Sequence, residues 1–283
     1  MIFHEWSLIF FTVLAQTAVG GYLLIGARAL VLVLGHDEEK LNSYKVPMFI
    51  LWALMGLGFM FSTTHLGSPL RAFNAFNQLG SAWLSNEVFF GAAFFAVGGL
   101  QWLLSVVKKG GVAIQKALMV GAMVLGVIFM YAMINVYMIN TVPTWDNIYT
   151  PLSFIMTIVV GGLLLSQFVL VFANDSHFTI DRNITMLAVI TVAISLLVTV
   201  GKLNLIGDIQ TSAAKASELV DGLGSYVILQ VALLMASLLI WILPMLNKAK
   251  VNPVNLSLAL VLFLASELIG RGLFYSLHMT SGL

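Results

Sequence analysis

Cysteine is missing from all 283 residues of the chain. Without a thiol it can hold neither an iron–sulfur cluster nor a disulfide, and it has no thiolate nucleophile. Charge is scarce as well: 9% of the residues are charged, whereas a soluble globular domain carries about 25%. The net charge of +1 offers no basic face that would neutralise the phosphates of a nucleic acid. These absences exclude a nucleic-acid-binding protein and a protein that carries its own iron–sulfur cluster.

Apolar residues make up most of what is present. Hydrophobic residues are 60% of the sequence, the mean hydropathy is +1.01, and runs of roughly 20 apolar residues recur along its length. The first residues, MIFHEWSLIFF, contain no lysine or arginine and so lack the basic region of a signal peptide. We therefore predict a polytopic membrane protein whose first apolar run is retained as a spanning helix.

The apolar windows predict about eight spans, each long enough to cross a hydrocarbon core ~30 Å thick. Only helices or a closed barrel satisfy the backbone in lipid, and the alternation of polar and apolar residues that a barrel needs is absent. The prediction is an all-α bundle that forms a single integral membrane domain over residues 1–283. The predicted spans are 6–34, 46–66, 86–107, 117–140, 151–173, 184–206, 226–246 and 254–277.

The distribution of basic residues predicts the orientation. Lysine and arginine concentrate in the cytoplasmic loops of membrane proteins. One side of this protein has Arg28, Lys40, Lys45, Lys108, Lys109, Lys116, Arg182, Lys248 and Lys250. The other side has Arg71, Lys202, Lys215 and Arg271. The richer side is therefore expected in the cytoplasm, with both termini outside and the two longest connections, 66–85 and 207–225, as candidate docking surfaces there.

Two ionisable residues bracket one of these outer connections, THLGSPLRAFNAFNQLGSAWLSNE. His65 ends the second predicted span and Glu87 begins the third, so both are expected at the outer membrane boundary. Ionisable groups there are costly and are functional candidates by default, and neither residue has an obvious counter-ion in its own helix. Desolvation favours the neutral forms of both groups, and such a pair can accept and pass protons. We predict that His65 and Glu87 form a functional pair.

The last predicted span contains the polar string SELIGRGLFYSLHM. Its residues Glu267, Arg271, Tyr275 and His278 fall within one arc of roughly 80° on a helix. Glu267 and Arg271 are four residues apart, so we expect them to form a structural ion pair that holds the bundle together.

Several other residues have structural explanations. Arg71 is long enough to reach lipid headgroups, and Gln16 is expected to bridge helices. Trp6, Trp83 and Trp145 are typical of an interfacial aromatic belt. Small residues allow helices to approach closely, which explains the pairs Gly20-Gly21, Gly98-Gly99 and Gly161-Gly162.

Two classes of function compete on these residues. A quinol-oxidising subunit needs a base for the hydroxyl protons and a nearby electron acceptor. A secondary transporter has its site near the bilayer midplane, where this sequence is poor in charge. A b-type haem normally needs histidine ligands, and none of the five histidines lies in the middle of a predicted span. The placement of charge favours quinol oxidation, with electrons leaving to a partner subunit, and leaves transport as the alternative.

Five segments of the sequence resemble the membrane anchor subunit of bacterial dimethyl sulfoxide reductase. They are HEWSLIFFTVLAQTAVGG, HLGSPLRAFNAFN, SNE, TVPTW and ELIGRGLFYSLHMT, and the resemblance extends over essentially the whole chain. It implies an eight-helix inner-membrane subunit that oxidises menaquinol during anaerobic respiration and contains no haem. It also implies periplasmic partners, an iron–sulfur electron-transfer subunit and a molybdopterin catalytic subunit.

The resemblance also implies roles for particular residues. The histidine of HLGSP and the glutamate of SNE belong to the quinol site of that family, and they correspond to His65 and Glu87. Either could take the proton while the other binds the second quinol oxygen. Further candidates for binding the quinol are Arg71, Trp83, Asn86 and Arg271. The terminal substrate stays open between dimethyl sulfoxide, another S- or N-oxide and selenate.

Overall fold

The protein is described here from a computed structural model covering residues 5–35, 37–64, 74, 76–173, 182–210, 215–246 and 252–280. Within these ranges it has no β-strand and has eight helices long and apolar enough to cross a membrane. A short helix, Glu38–Ser43, precedes the second of them. The eight are α1 Trp6–Leu34, α2 Lys45–Thr64, α3 Trp83–Val106, α4 Val112–Val136, α5 Tyr149–Leu170, α6 Arg182–Asp208, α7 Leu223–Leu246 and α8 Pro253–Ser276.

These helices confirm the predicted all-α fold and the eight predicted spans. The largest difference is in α4, which was predicted over 117–140 and is found at Val112–Val136. The helix starts directly after Gly111, whose backbone is extended, and ends where Tyr137 leaves the regular hydrogen-bond pattern. Hydropathy alone places the window too late because Tyr137–Asn140 is apolar enough to continue the run, while Lys116 interrupts it near the start.

Helix α1 is the centre of the bundle and packs against α2, α4, α5 and α8. Its side chains are buried on every face; Ile9, Val13, Tyr22 and Ile25 have no exposed surface. A helix that is hydrophobic all round belongs in the core of a larger assembly of helices. The other seven helices are arranged around α1, and several of them leave large apolar side chains exposed for lipid.

Two glycines set the contact between α1 and α5. A methyl group on Gly20 would collide with the carbonyl oxygen of Ile158, and one on Gly162 would collide with the Gly20 backbone. In membranes, where hydrophobic driving force between helices is absent, such close backbone approach supplies the packing energy. The structure confirms the role predicted for the pairs Gly20-Gly21 and Gly161-Gly162. In the third pair Gly98 leaves room for the ring of Trp52, whereas Gly99 has nothing within 4 Å.

Eight crossings place the beginning of α1 and the end of α8 at one end of the bundle, which we call the terminus end. Glu87 lies one turn into α3 at this end, and Tyr275 lies in the last turn of α8. Two of the four cations counted in the sequence on this side, Lys202 and Arg271, lie inside α6 and α8 and not in loops. The loops of this end are therefore even poorer in basic residues than the sequence count indicates.

Candidate functional site

Glu87 faces the interior of the bundle near the terminus end. It belongs to a buried stripe of α3 that continues one turn further with Gly91, where a Cβ atom would be 2.9 Å from the Phe129 ring of α4. The side chain of Glu87 is 3% exposed, and its Oε1 atom has no hydrogen-bond partner among the described residues. Buried polar atoms almost always have a partner. A carboxylate oxygen left without one makes Glu87 a candidate for contact with a ligand.

Two tyrosines lie beside this carboxyl group. The hydroxyl oxygens of Tyr137, just after α4, and Tyr275, on α8, are 2.5 Å apart, and either hydroxyl can donate. Both rings are buried, and both hydroxyls lie within the electrostatic reach of Glu87. Burial raises the pKa of the Tyr137 hydroxyl well above its usual range. That hydroxyl therefore keeps its proton and stays available as a hydrogen-bond donor.

Arg271 completes the polar group one turn before Tyr275. Its Nη2 atom donates to Oε1 of Gln16 on α1 at 2.6 Å, and its guanidinium lies 3.7 Å from the centre of the Phe154 ring. The residue is 5% exposed, and its Nε atom has no partner among the described residues. A cation held by an amide and an aromatic face keeps donor capacity toward the space around it.

The connection between α4 and α5 covers this group from the terminus end. Trp145, in the TVPTW segment, donates from its indole nitrogen to the Phe274 carbonyl at 2.8 Å and stacks on the Phe274 ring. It also contacts Tyr137 and Tyr275 edge-on. Trp145 is therefore part of the roof of the site, whereas the aromatic-belt explanation assigned it to the membrane interface.

The other predicted site residues are distributed unevenly. His65 and Arg71 lie outside the described residues. Trp83 begins α3, is 43% exposed and lines an open cleft between α3 and α4 that does not include Glu87. Asn86 accepts a hydrogen bond from the Gly80 amide at 2.7 Å through Oδ1, which fixes the turn before α3. Of the predicted residues that are described, Glu87 and Arg271 are the two whose charges act on the hydroxyls of Tyr137 and Tyr275.

The ion pair predicted between Glu267 and Arg271 does not form. Within the described residues no salt bridge joins them. Each side chain instead forms a hydrogen bond with a residue of another helix. Glu267 accepts a hydrogen bond from the Thr157 hydroxyl of α5 at 2.5 Å, and Arg271 donates to Gln16. Spacing along one helix cannot anticipate these partners, since they come from distant parts of the sequence.

The sequence prediction missed Tyr137 as a site residue, and it treated Gln16 as a helix bridge. Tyr137 lies inside the predicted span 117–140 and belongs to no motif, so only the fold brings it to Tyr275. A signal did exist for Gln16, since it is a lone amide in the apolar run of α1. Its bridging role is confirmed, and its partner is the cation of the site.

This arrangement suits proton exchange with a small hydroxylated ligand. It combines one carboxyl group, two hydroxyl groups and one guanidinium in a largely apolar surrounding. Carboxyl and hydroxyl groups at hydrogen-bond distance can pass protons. Among the residues that the structure describes, no three histidine, aspartate or glutamate side chains gather as metal ligands.

Comparison with known proteins identifies the family of the chain. The family model for "DMSO reductase anchor subunit (DmsC)" matches residues 1–277. The sequence is 41% identical to the C subunit of the anaerobic dimethyl sulfoxide reductase of Escherichia coli K12, over 99% of this protein and 97% of that one. It is 42% identical to the anaerobic dimethyl sulfoxide reductase subunit YnfH of the same organism, and 36% identical to the corresponding C subunit of Haemophilus influenzae, with the same coverage.

No solved structure matches the sequence. The assignment to a family therefore depends on sequence similarity, which extends over residues 1–277. Eight apolar helices and respiratory relatives define a multi-pass protein of the bacterial cytoplasmic membrane. The expected resemblance is thereby confirmed: the chain belongs to the family of DMSO reductase anchor subunits.

Proposed function

We propose that this protein oxidises menaquinol at the terminus end of the bundle, on the periplasmic side of the membrane. The electrons pass to an iron–sulfur subunit docked at that end and then to a molybdopterin catalytic subunit. That catalytic subunit reduces dimethyl sulfoxide or a related S- or N-oxide. The names of the relatives support the last step, since they are subunits of anaerobic dimethyl sulfoxide reductases.

The single observation that carries the proposal is the buried Glu87 carboxyl group with an oxygen lacking a partner among the described residues. The charge of this group acts on the hydrogen-bonded hydroxyls of Tyr137 and Tyr275. A quinol headgroup has two hydroxyl groups, and each needs a proton acceptor when it is oxidised. The carbonyl groups of the resulting quinone need hydrogen-bond donors. Glu87 supplies an acceptor, and the tyrosine hydroxyls supply donors.

The reaction converts a quinol into a quinone with loss of two electrons and two protons. In the proposed mechanism Glu87 takes the proton of one hydroxyl, and His65 binds the other quinol oxygen; these two roles are interchangeable. The apolar walls exclude water and strengthen each hydrogen bond at the site. Gln16 and Phe154 hold the guanidinium of Arg271 in place, and Arg271 helps to position the two tyrosines.

The electrons must leave this subunit because it has no cysteine to bind a cluster. A partner that carries an iron–sulfur cluster close to the terminus end supplies the acceptor. Reduction of a sulfoxide to a sulfide and water consumes two electrons and two protons. Protons released and consumed on the same side would contribute no membrane potential by this route.

The periplasmic assignment is supported by the loops. Of the four cations counted in the sequence at the terminus end, two lie inside α6 and α8. The opposite end carries the other nine of the 13 lysine and arginine residues, and the side that is richer in these residues is the cytoplasmic one.

Quinol-driven turnover tests the proposal. Membranes with the assembled complex would be assayed with a reduced menaquinol analogue and dimethyl sulfoxide, comparing wild type with Glu87→Gln and His65→Ala. Loss of an acid–base group typically costs ~10²–10⁴ in rate, so we expect quinol-driven turnover to fall by at least ~100-fold in Glu87→Gln.

An artificial electron donor that reduces the partner subunits directly is the control for assembly. The proposal requires that its turnover stay at the wild-type level in both variants. Lys109→Ala is a control variant, because this lysine is exposed at the opposite end of the bundle. Wild-type quinol oxidation in both site variants would contradict the proposed site.

A further inference from the structure

A second polar space lies next to the quinol site, on the far side of α8. It is a cavity between α5, α6, α7 and α8, with about 60 Å³ open to the centres of water-sized molecules. One water needs roughly 10–15 Å³ by this measure, so about four waters fit. Ligand pockets are several times larger, from ~300 Å³. The cavity therefore suits a chain of waters and excludes a quinone headgroup.

Three charged side chains line this cavity: Lys202 of α6 and Glu267 and Arg271 of α8. No salt bridge joins any two of them within the described residues. Glu267 is bound by Thr157 and Arg271 by Gln16. Lys202 has no hydrogen bond to a described residue, and its ammonium lies 5.0 Å from the centre of the Phe274 ring.

The balance of charge singles out Lys202. Arginine stays protonated in proteins, so the Arg271 cation balances the Glu267 carboxylate. The ammonium of Lys202 is then a surplus positive charge in the interior of a membrane protein, where unpaired charge is costly. Lysine is the basic residue that gives up its proton readily when buried. With Lys202 neutral the cavity is neutral, and with Lys202 protonated it carries a charge of plus one.

The cavity shares a wall with the quinol site. Arg271 and Phe274 line the cavity. The Phe274 ring also packs against Tyr137 and Tyr275, and the charge of Arg271 acts on both hydroxyls. The Arg271 guanidinium thus contacts the polar group of the site and also faces the cavity. A proton released at the site needs to pass only this one layer of side chains to reach the waters.

The cavity also reaches the terminus end of the bundle. Its deepest charged residue, Glu267, lies nine residues before the end of α8 at Ser276, which is ~14 Å along a helix axis. Its outermost lining residues are Leu223, the first residue of α7, and Leu277, directly after α8. The cavity therefore extends from the charged residues in the middle of the bundle to the level where the helices end, where apolar side chains line it.

We propose that this cavity is the proton outlet of the quinol site and that Lys202 is its proton-accepting group. The inference rests on the proposed quinol oxidation. When the two O–H bonds of the quinol break, two electrons go to the iron–sulfur acceptor of the partner subunit. One of the two protons goes to Glu87, and the other is taken up by neutral Lys202 through the cavity waters and is then released at the terminus end. Glu267 and Arg271 hold the cavity hydrated and balance its charge.

The groups that face Lys202 are limited in number. From α5 the cavity is lined by Ser153 and Thr157, and from α7 by the amide of Gln230. None of these three side chains titrates near neutral pH. The titratable and charged groups around Lys202 are therefore Glu267 and Arg271, so substitutions at Lys202 change one proton-exchanging group in a fixed surrounding.

The test compares Lys202→Met with Lys202→Arg in the assembled complex. Methionine removes the charge and the proton acceptor; arginine keeps the charge and cannot give up its proton. We expect both variants to lower the kcat of menaquinol oxidation by on the order of tenfold, with the quinol KM and the artificial-donor turnover unchanged. Lys109→Met, at an exposed lysine of the opposite end, keeps wild-type turnover.

Chemical rescue provides the second readout. In Lys202→Ala, added methylamine should restore quinol-driven turnover, and the restored rate should rise with the fraction of neutral amine as pH increases. A purely structural role would leave turnover insensitive to the amine. Wild-type kcat in Lys202→Arg would show that only the charge matters, and it would overturn the proposal.

The two proposals fail differently. If Glu87→Gln abolishes quinol oxidation while Lys202→Arg and Lys202→Met have wild-type kcat, the quinol site stands and the outlet is wrong. If Glu87→Gln itself has no effect, the proposed quinol site is wrong, and the outlet that rests on it is wrong as well.

Discussion

The contact between Gln16 and Arg271 supports a quantitative prediction. It joins the first and last helices of the bundle at 2.6 Å and is fully buried, since Gln16 has no exposed surface and Arg271 is 5% exposed. Hydrogen bonds to charged groups contribute ~1.5–3 kcal/mol in proteins, although averages inside membranes are nearer ~0.6 kcal/mol. Because a full charge is involved here, we expect about 2 kcal/mol from this bond.

The single substitutions should each destabilise the protein. Gln16→Leu leaves a buried cation without its acceptor and should cost about 2 kcal/mol of unfolding free energy. Arg271→Met removes the same bond, strands the Gln16 oxygen, and also removes the stacking of the guanidinium on Phe154 at 3.7 Å. A desolvated cation–π contact contributes ~2 kcal/mol, so this variant should lose about 4 kcal/mol.

The double variant separates the bond from its surroundings. If Gln16 and Arg271 act through their mutual bond, Gln16→Leu with Arg271→Met loses that bond once, and the combined loss is smaller than the sum by about 2 kcal/mol. The assay is unfolding of the purified complex in mixed micelles with rising denaturing detergent, followed by tryptophan fluorescence. Strictly additive losses would refute the reasoning, because they would mean that the two side chains do not stabilise each other.

Three further predictions follow from the packing. Tyr275→Phe removes one hydroxyl of the pair at 2.5 Å and should lower quinol-driven turnover by on the order of tenfold without changing artificial-donor turnover; an unchanged quinol rate would mean that this hydroxyl does not contact the quinol. Gly162→Val should destabilise the bundle by ~1–3 kcal/mol because its side chain meets the Gly20 backbone. The control Gly99→Ala, with nothing within 4 Å, should be nearly neutral in the same unfolding assay, and equal losses would contradict the assigned α1–α5 contact. Purified complex should show no haem band attributable to this subunit in a reduced-minus-oxidised spectrum, and such a band would revive the cytochrome alternative.

The spans could be predicted from the sequence because lipid leaves the backbone few choices. A run of about 20 apolar residues in a bilayer has to form all of its backbone hydrogen bonds without water. Outside a closed β-barrel, only a helix does this, because its hydrogen bonds lie within the segment. The positions of helix ends were less predictable. Tyr137 shows why, since its hydropathy continues the apolar run of α4 although the backbone leaves the helix there.

The site could be predicted only in part. Glu87 was predicted because a carboxyl group at the start of an apolar span is costly, and the structure shows that this side chain is buried. Its neighbours Tyr137 and Tyr275 come from segments 138 residues apart, and nothing in either segment predicts the other. The interpretation of Glu267 and Arg271 failed for the same reason: local spacing suggested an ion pair, but tertiary partners on α5 and α1 take both side chains.

Charge near the middle of the membrane was also misjudged. The sequence was interpreted as poor in charge there, yet Lys202 and Glu267 meet at one cavity well inside the bundle. The two residues are on different helices and have no common motif. Their meeting depends on how α6 packs against α5 and α7, which hydropathy does not describe.

The most direct measurement is the structure of the assembled complex with a bound menaquinone analogue. The account predicts a quinone headgroup at the terminus end, with one oxygen within hydrogen-bond distance, about 3 Å, of the Glu87 carboxyl group and the ring beside Tyr137 and Tyr275. A headgroup in the open cleft at Trp83, or at the opposite end of the bundle, with none of its atoms near Glu87, would contradict the central claim.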